Sequence, residues 1–322
     1  VGTSTNGAGA FGGSINVSTK KQSQAPKFKL SNSSGSYGTL KNSISFSTGR
    51  VGKYFELSGN LSKIYSDGYI DRASSNLKGY FLQGSYDKDR TSIKFIAFGG
   101  HERTYQAWYG LDQETLSNNR KFNYAGMYFN DNGDQFFYDK QEDNYKQDHY
   151  QLIFNHKINP LWRANLTFHY THGRGYYEEY NENQNLSDYL IFDNNGEVIS
   201  DLIRRKWLDN DFYGSLFNFI YENSSSKLIL GGTLNKYFGD HFGEVIWARN
   251  AGDSEIRHRY YDNYGNKEEF NLFAKFQHTF NDKLYAFVDL QNRNINYDAE
   301  LIGGNNINKS FNFFNPKAGL YY

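Results

Sequence analysis

The chain has 322 residues, with 35 Lys and Arg against 35 Asp and Glu and a pI near 7.2, so it carries neither a basic field for nucleic acid nor an acidic tail. It contains no cysteine, which removes disulfides, thiolate metal sites and thiol catalysis together. Aromatic residues make up 18% of the chain, with 28 Tyr and 27 Phe, yet mean hydropathy is only −0.78. No run of about 18 apolar residues exists for a spanning helix, whereas strands with one greasy and one wet face would give this pairing of many rings with low hydropathy.

Residues 1–19 read VGTSTNGAGAFGGSINVST, a small-residue run that ends in a short alternation of Ile15 and Val17 with Asn16 and Ser18. Val1-Gly2-Thr3-Ser4 has neither the charged nor the apolar region of a signal peptide, so an exported chain is expected to have its start missing or processed. Gly7-Ala8-Gly9-Ala10-Phe11-Gly12 fits the dinucleotide fingerprint, but a strand pattern and a Ser/Lys/Gln linker follow it in place of a helix. Its glycines read instead as sites of close backbone approach.

From Lys27 onward the chain alternates. Strands are expected over about 27–37, 40–49, 53–66, 77–88 and 91–103, followed by a long insertion, 104–146. A pair at 147–158 and 162–174 comes next, joined through Asn159-Pro160-Leu161, where a proline in the turn costs no ladder hydrogen bond. A second insertion, 175–210, leads to strands marked by Phe217, Phe219 and Tyr221 and by Leu228, Leu230 and Leu234. After a third, 239–267, comes the clearest hairpin, in which Phe270, Leu272, Ala274 and Phe276 alternate with Asn271, Phe273, Lys275 and Gln277, and Leu284, Ala286, Val288 and Leu290 answer across Asn281-Asp282-Lys283. A three-residue connection would set Phe280 opposite Leu284, Phe276 opposite Val288 and Lys275 opposite Asp289. A loop of moderate length from Asp298 and a last strand over about 311–322 complete the reading.

About a dozen strands result, many of them long enough to cross a bilayer, which takes about 9–11 residues, while ordinary strands run nearer 5–6. After the first hairpin the connections alternate long and short, the asymmetry of outer-membrane barrels with long external loops and short periplasmic turns. The expected fold is therefore an all-β, antiparallel transmembrane barrel, with lipid on the apolar face and water on the polar one.

The run Gly7 to Thr19, with Gly7, Gly9, Gly12, Gly13, Asn16 and Thr19, resembles the end of the plug domain in TonB-dependent outer-membrane receptors, where a Gly-rich stretch closes in a pattern near G-G-x-(I/V)-N-(I/V)-x-T. The resemblance implies a 22-stranded barrel around a plug, with residues 1–19 as the plug's end, 20–26 (KKQSQAP) as linker and 27–322 as the first part of the barrel. It further implies import of a scarce bulky nutrient, foremost a ferric siderophore or other iron complex, energised by TonB; cobalamin, haem and oligosaccharide are the other cargoes. The competing reading is a complete barrel of twelve strands serving as channel, adhesin or phospholipase.

Cargo contacts are expected in the long insertions, where aromatics and arginines suit a planar anionic chelate. The candidates are Tyr105, Trp108 and Tyr109 in the first, Arg204, Arg205 and Trp207 in the second, and Trp247, Arg249, Arg257, Arg259 and Tyr260 in the third. Strand-end aromatics and charged loop residues would otherwise meet the membrane interface and lipopolysaccharide. No cofactor or metal site is expected: His169 and His172 have opposite parity, and no catalytic signature accompanies the serines. A barrel phospholipase would need a lipid-facing Ser-His pair, and His156 and His278 fall on the apolar face near turns.

Overall fold

The computed structural model describes residues 17–19, 23–192, 196, 198–301 and 304–322. The Gly-rich segment, with Gly7, Gly9, Gly12, Gly13 and Asn16, lies outside the described residues. Twelve strands form one antiparallel sheet in the order β1 (Lys27–Gly35), β2 (Thr39–Ser47), β3 (Phe55–Ser66), β4 (Ser75–Lys88), β5 (Thr91–Tyr105), β8 (Glu142–Lys157), β9 (Trp162–Asn185), β10 (Ile199–Glu222), β11 (Ser226–Ala248), β12 (His258–Asn281), β13 (Leu284–Leu301) and β14 (Asn305–Tyr321). Between β5 and β8 lie a short helix, α1 (Gln113–Asn118), and a small separate hairpin of β6 (Met127–Phe129) and β7 (Gln135–Phe137). The sheet is open, with β1 and β14 at its edges, and forms a partial barrel wall.

Side-chain alternation gives the wall its two faces. Rows such as Leu30, Ile44 and Leu61, or Phe276 and Val288, meet strand to strand in register and stay 40–59% exposed. Across the sheet, Glu56, Gln83, Ile96, Asn271 and Asp289 are at most 5% exposed, because the twisted wall curls toward that side and crowds its side chains. Large apolar groups on an uncovered convex face belong against hydrocarbon, since a soluble domain rarely leaves such a surface open.

The best-read hairpin pairs Phe276 with Val288 and Lys275 with Asp289, as its alternation implies. Its turn is tighter than expected: Asn281, not Phe280, stands opposite Leu284, and the ladder slips between Thr279 and Asn281. The Asn281 side-chain oxygen accepts from the backbone N–H groups of Lys283 and Leu284, both at 3.0 Å, which closes a two-residue turn and leaves Phe280 as a bulged extra residue.

The larger correction concerns the insertions. Strands β9, β10 and β12 run 24 residues and β11 runs 23, so most of 175–210 and 239–267 is ladder, not loop. The stretch from Asp298 is likewise mostly strand, β13 continuing to Leu301 and β14 resuming at Asn305. These strands overshoot the bilayer, and above it both faces meet polar surroundings, so the apolar alternation ends while pairing continues. The asymmetry between the two ends is carried by overhanging strands together with the 106–141 segment.

The chain ahead of β1 turns to the concave side. Glu56, 5% exposed, accepts from the Ser23 backbone N–H at 3.1 Å and the Ser47 hydroxyl at 2.5 Å, while the Lys94 ammonium donates to the Thr19 hydroxyl at 3.4 Å. Gly49, at φ +64°, is needed there: a Cβ would sit 2.6 Å from the Ala25 carbonyl carbon.

Candidate ligand-facing site

The overhang of β9 to β12 is organised by two coverings, one on each face. On the concave face the β9–β10 tip folds over the sheet, a 3-10 turn at Leu186–Tyr189 bringing Leu186, Tyr189 and Ile191 onto Leu202 and Val245 in the apolar cluster of this end. Beside it Arg204 donates to Glu179 Oε2 from Nε at 3.1 Å and Nη2 at 2.9 Å, and to the Tyr189 hydroxyl from Nη1 at 2.8 Å. Burial works against the Arg204 charge, but Tyr189 and Glu179 outweigh it and raise the guanidinium above its usual range. Tyr189 packs on Tyr260 at 4.7 Å, and Tyr260 meets Tyr261 edge-on at 4.9 Å.

A slip in the ladder allows this packing. Gly243 pairs with Tyr261 and Glu244 with Arg259, so Tyr260 is the extra residue, and both tyrosine rings lie over Gly243, where a Cβ would come within 2.4 Å of each. Burial raises both phenols, Tyr261 to about 12. The Tyr260 hydroxyl is buried with no hydrogen-bond partner among the described residues, and an unmade bond of that kind costs about 1–3 kcal/mol. The cluster thus offers neutral phenols, closely packed rings and a compensated guanidinium, chemistry suited to a ligand with flat faces and hydrogen-bond acceptors.

The convex face is covered by the 106–141 segment. Tyr105 anchors its return by donating to the Tyr138 carbonyl at 2.7 Å, and Tyr138 donates in turn to Glu178 Oε1 at 2.5 Å. Glu178, 1% exposed, pairs with Arg205 at 2.7 Å, whose guanidinium lies 4.3 Å above the Tyr176 ring. The Trp207 indole N–H donates to Glu244 at 2.8 Å, its ring stacks on Phe242 at 5.7 Å, and Arg259 sits 3.8 Å over the same Phe242.

The sequence candidates therefore divide. Arg204 and Tyr260 meet on the concave face, whereas Arg205, Trp207 and Arg259 gather on the convex one, held by carboxylates and rings. Trp247 stacks with Tyr180 at 6.2 Å, and Arg249 pairs with Asp201 at 2.8 Å and Asp131 at 3.2 Å, close to the covering segment. Trp108 and Tyr109 stand exposed at the head of that segment, and Arg257 adopts φ +63° just before β12. Glu179, Tyr189 and Glu178 escaped the sequence reading. The continued alternation in Tyr176-Tyr177-Glu178-Glu179-Tyr180 was the available signal, with odd positions on one face and even on the other.

The histidines also separate: His169 bonds Asn235 at 3.0 Å on the concave side and His172 bonds Asp211 at 3.0 Å on the other. A Ser-His contact does exist on the apolar face, Ser226 to His278 Nδ1 at 2.8 Å. The same arrangement recurs as Thr91 to His156 Nδ1 at 2.9 Å, each imidazole stacked at 6.3 Å on a phenylalanine of its own strand. Among the described residues no carboxylate is bonded to either ring, so the repeated pair reads as an interfacial polar handle.

No protein-family model matches the chain, and no curated protein matches its sequence. Solved structures do match. The siderophore receptor PiuA from Acinetobacter baumannii superposes with a TM-score of 0.68 at 10% identity, over 98% of this chain and 50% of that one. The ferric preacinetobactin receptor BauA of the same organism gives 0.66 at 11%, over 94% and 46%, and the copper transporter OprC gives 0.63 at 10%, over 94% and 44%. The chain thus spans about half the length of these structures. The likeness establishes the fold, a partial antiparallel β-barrel wall like those of these receptors.

Proposed function

We propose that the chain is part of the wall of an outer-membrane importer energised through TonB, and that its cargo is a bulky iron complex of the ferric-siderophore kind. Residues 1–19 then form the end of the plug, 20–26 the linker and 27–322 barrel wall. The observation that carries this reading is the concave cluster of Tyr177, Tyr189, Arg204, Tyr260 and Tyr261 at the outer end of a lipid-facing wall, where rings, phenol hydroxyls and a carboxylate-compensated guanidinium suit a flat ligand rich in hydrogen-bond acceptors. The linker supports it from the other direction, because Thr19 and Ser23 make their contacts, with Lys94 and Glu56, on the concave face.

The test is uptake of radiolabelled ferric catecholate by iron-starved cells carrying the full reading frame. Uptake should vanish without TonB and fall about thirtyfold or more in Arg204→Gln/Tyr260→Phe at unchanged surface expression, since two lost contacts at roughly 1–2 kcal/mol each sum to about 2–4 kcal/mol. Uptake indifferent to TonB would remove the energised mechanism; a cell that takes up cobalamin, haem or an oligosaccharide in its place would remove the iron cargo.

A further inference from the structure

Register places a row of basic side chains on the convex face. Lys63 stands opposite Lys78, Lys78 opposite His101, His101 opposite Lys146 and Lys146 opposite Arg174, five adjacent strands with basic side chains in a single line. Like charges directly opposed across a sheet repel, so such a row needs anions. Some are supplied internally: Asp148 pairs with Lys146 at 2.9 Å and Asp209 with Arg174 at 3.3 Å, while His101 bonds the neutral Asn144 amide oxygen at 2.8 Å. Lys63 and Lys78, both exposed, have no ion pair among the described residues. The row ends where Arg174 faces Asp209 and Asp209 faces Asp240, so the positive patch is confined to β3, β4, β5, β8 and β9.

Its height is informative. Each member lies eight to twelve residues from the short-turn end of its strand, close to the roughly 9–11 residues needed to cross the bilayer. That is the level of the outer-leaflet headgroups. Two residues nearer the membrane centre, Leu30, Ile44, Leu61 and Tyr80 form the parallel row, apolar and in register. Between the rows the backbone of Ser62, Gly79 and Gly100, whose positions face the other side of the sheet, floors a groove of ≈ 530 Å³ bordered by Leu30, Ile44 and Leu61 on one side and Lys63, Lys78, His101 and Lys146 on the other. At the far end of the cationic row Asn32 faces Asn42 and Asn42 faces Lys63, adding amides beside the ammonium groups.

We infer that this groove is a docking site for a phosphorylated glycolipid of the outer leaflet, lipopolysaccharide, with acyl chain along the leucine row, phosphate on Lys63, Lys78 and Lys146, and sugar hydroxyls on Asn32 and Asn42. Lysine suits phosphate as a mobile point charge, and basic clusters at headgroup height bind anionic lipid. The inference rests on the lipid-facing reading of the convex wall but not on the identity of the cargo.

The test uses the full-length protein, delipidated in detergent and incubated with bisphosphorylated lipid A or with phosphatidylcholine of matched chain length, bound lipid being counted by native mass spectrometry. Lipid A should be retained selectively. Each Lys→Gln change at 63, 78 or 146 should weaken it about fivefold, as expected for one charge at an anionic membrane surface. Lys63→Arg/Lys78→Arg should keep the binding, and heat-modified gel mobility checks that every variant is folded. Equal retention of phosphatidylcholine, undiminished lipid A binding in the triple Gln variant, or displacement by millimolar inorganic phosphate would each overturn the assignment. Failure of the membrane reading looks different, because the protein would then not fractionate with the outer membrane.

Discussion

The lower and upper parts of the long hairpins follow different rules. Near the short turns one face meets hydrocarbon and the other water, so a residue's environment follows from its parity, as in Phe276 opposite Val288 and Lys275 opposite Asp289. Above the bilayer the same ladders continue, but each face is covered by a different piece of chain: the 186–191 tip over Arg204 and Tyr260, and the 106–141 segment over Glu178 and Arg205. Parity still decides which covering a side chain meets. It no longer predicts whether that side chain is apolar, and neighbours such as Arg204 and Arg205 end in unrelated sites.

The sharpest way to break this comparison is to place a charge in the lower part. Phe276→Arg, on the lipid-facing row, should cost about 2–4 kcal/mol of folding free energy in urea titrations from vesicles, while Gln277→Arg on the opposite face costs under about 1 kcal/mol. Equal costs would mean that the convex face is not in lipid.

In the upper part the carboxylate under the covering segment should matter next. Glu178→Gln leaves Arg205 with Glu244 at 4.0 Å as its remaining carboxylate and weakens the Tyr138 anchor. The expected loss is about 1–3 kcal/mol, read as faster hydrogen exchange and proteolysis confined to 106–141 while the lower ladder is unchanged. Global unfolding in step with that segment would show that the two parts are one cooperative unit.

A smaller effect should appear with pH. Burial, then the Glu102 and Glu179 carboxylates, push Asp143 up to about 6. A carboxyl raised in the folded state opposes folding above pH 6 and ceases to do so below its unfolded value near 3.9, so the overhang should gain stability as pH falls between them. Allowing for solvent screening at this half-exposed group, the gain is on the order of 1 kcal/mol. Asp143→Asn should flatten that slope in thermal unfolding, and a slope that survives the change would assign it elsewhere. Least of all, Trp108→Ala and Tyr109→Ala should shift stability by no more than about 0.5 kcal/mol, because both side chains are 49% exposed or more.

The lower part was legible for a physical reason: wherever two solvents differ as much as lipid and water, composition must alternate with the pleat. Strands β1 to β5 were therefore found, and the hairpin of β12 and β13 was found with its faces assigned. The turn at Asn281 was misjudged by one position because the deciding interaction is a side-chain oxygen bonding two backbone N–H groups, which a hydrophobic pattern does not register. The overhangs of β9 to β12 were taken for loops because polarity on both faces looks like irregular chain when only the residues are visible.

Sequence alone determined that this protein is a set of two-faced antiparallel ribbons with lipid on one side, since every residue contributes to that alternation locally. Tertiary structure decided how far the ribbons extend, which of two adjacent arginines faces the bore, and that five basic side chains from separate strands stand in one line. Those outcomes depend on register between strands far apart in the chain, and register is fixed by pairing partners, bulges and the loops that settle over them.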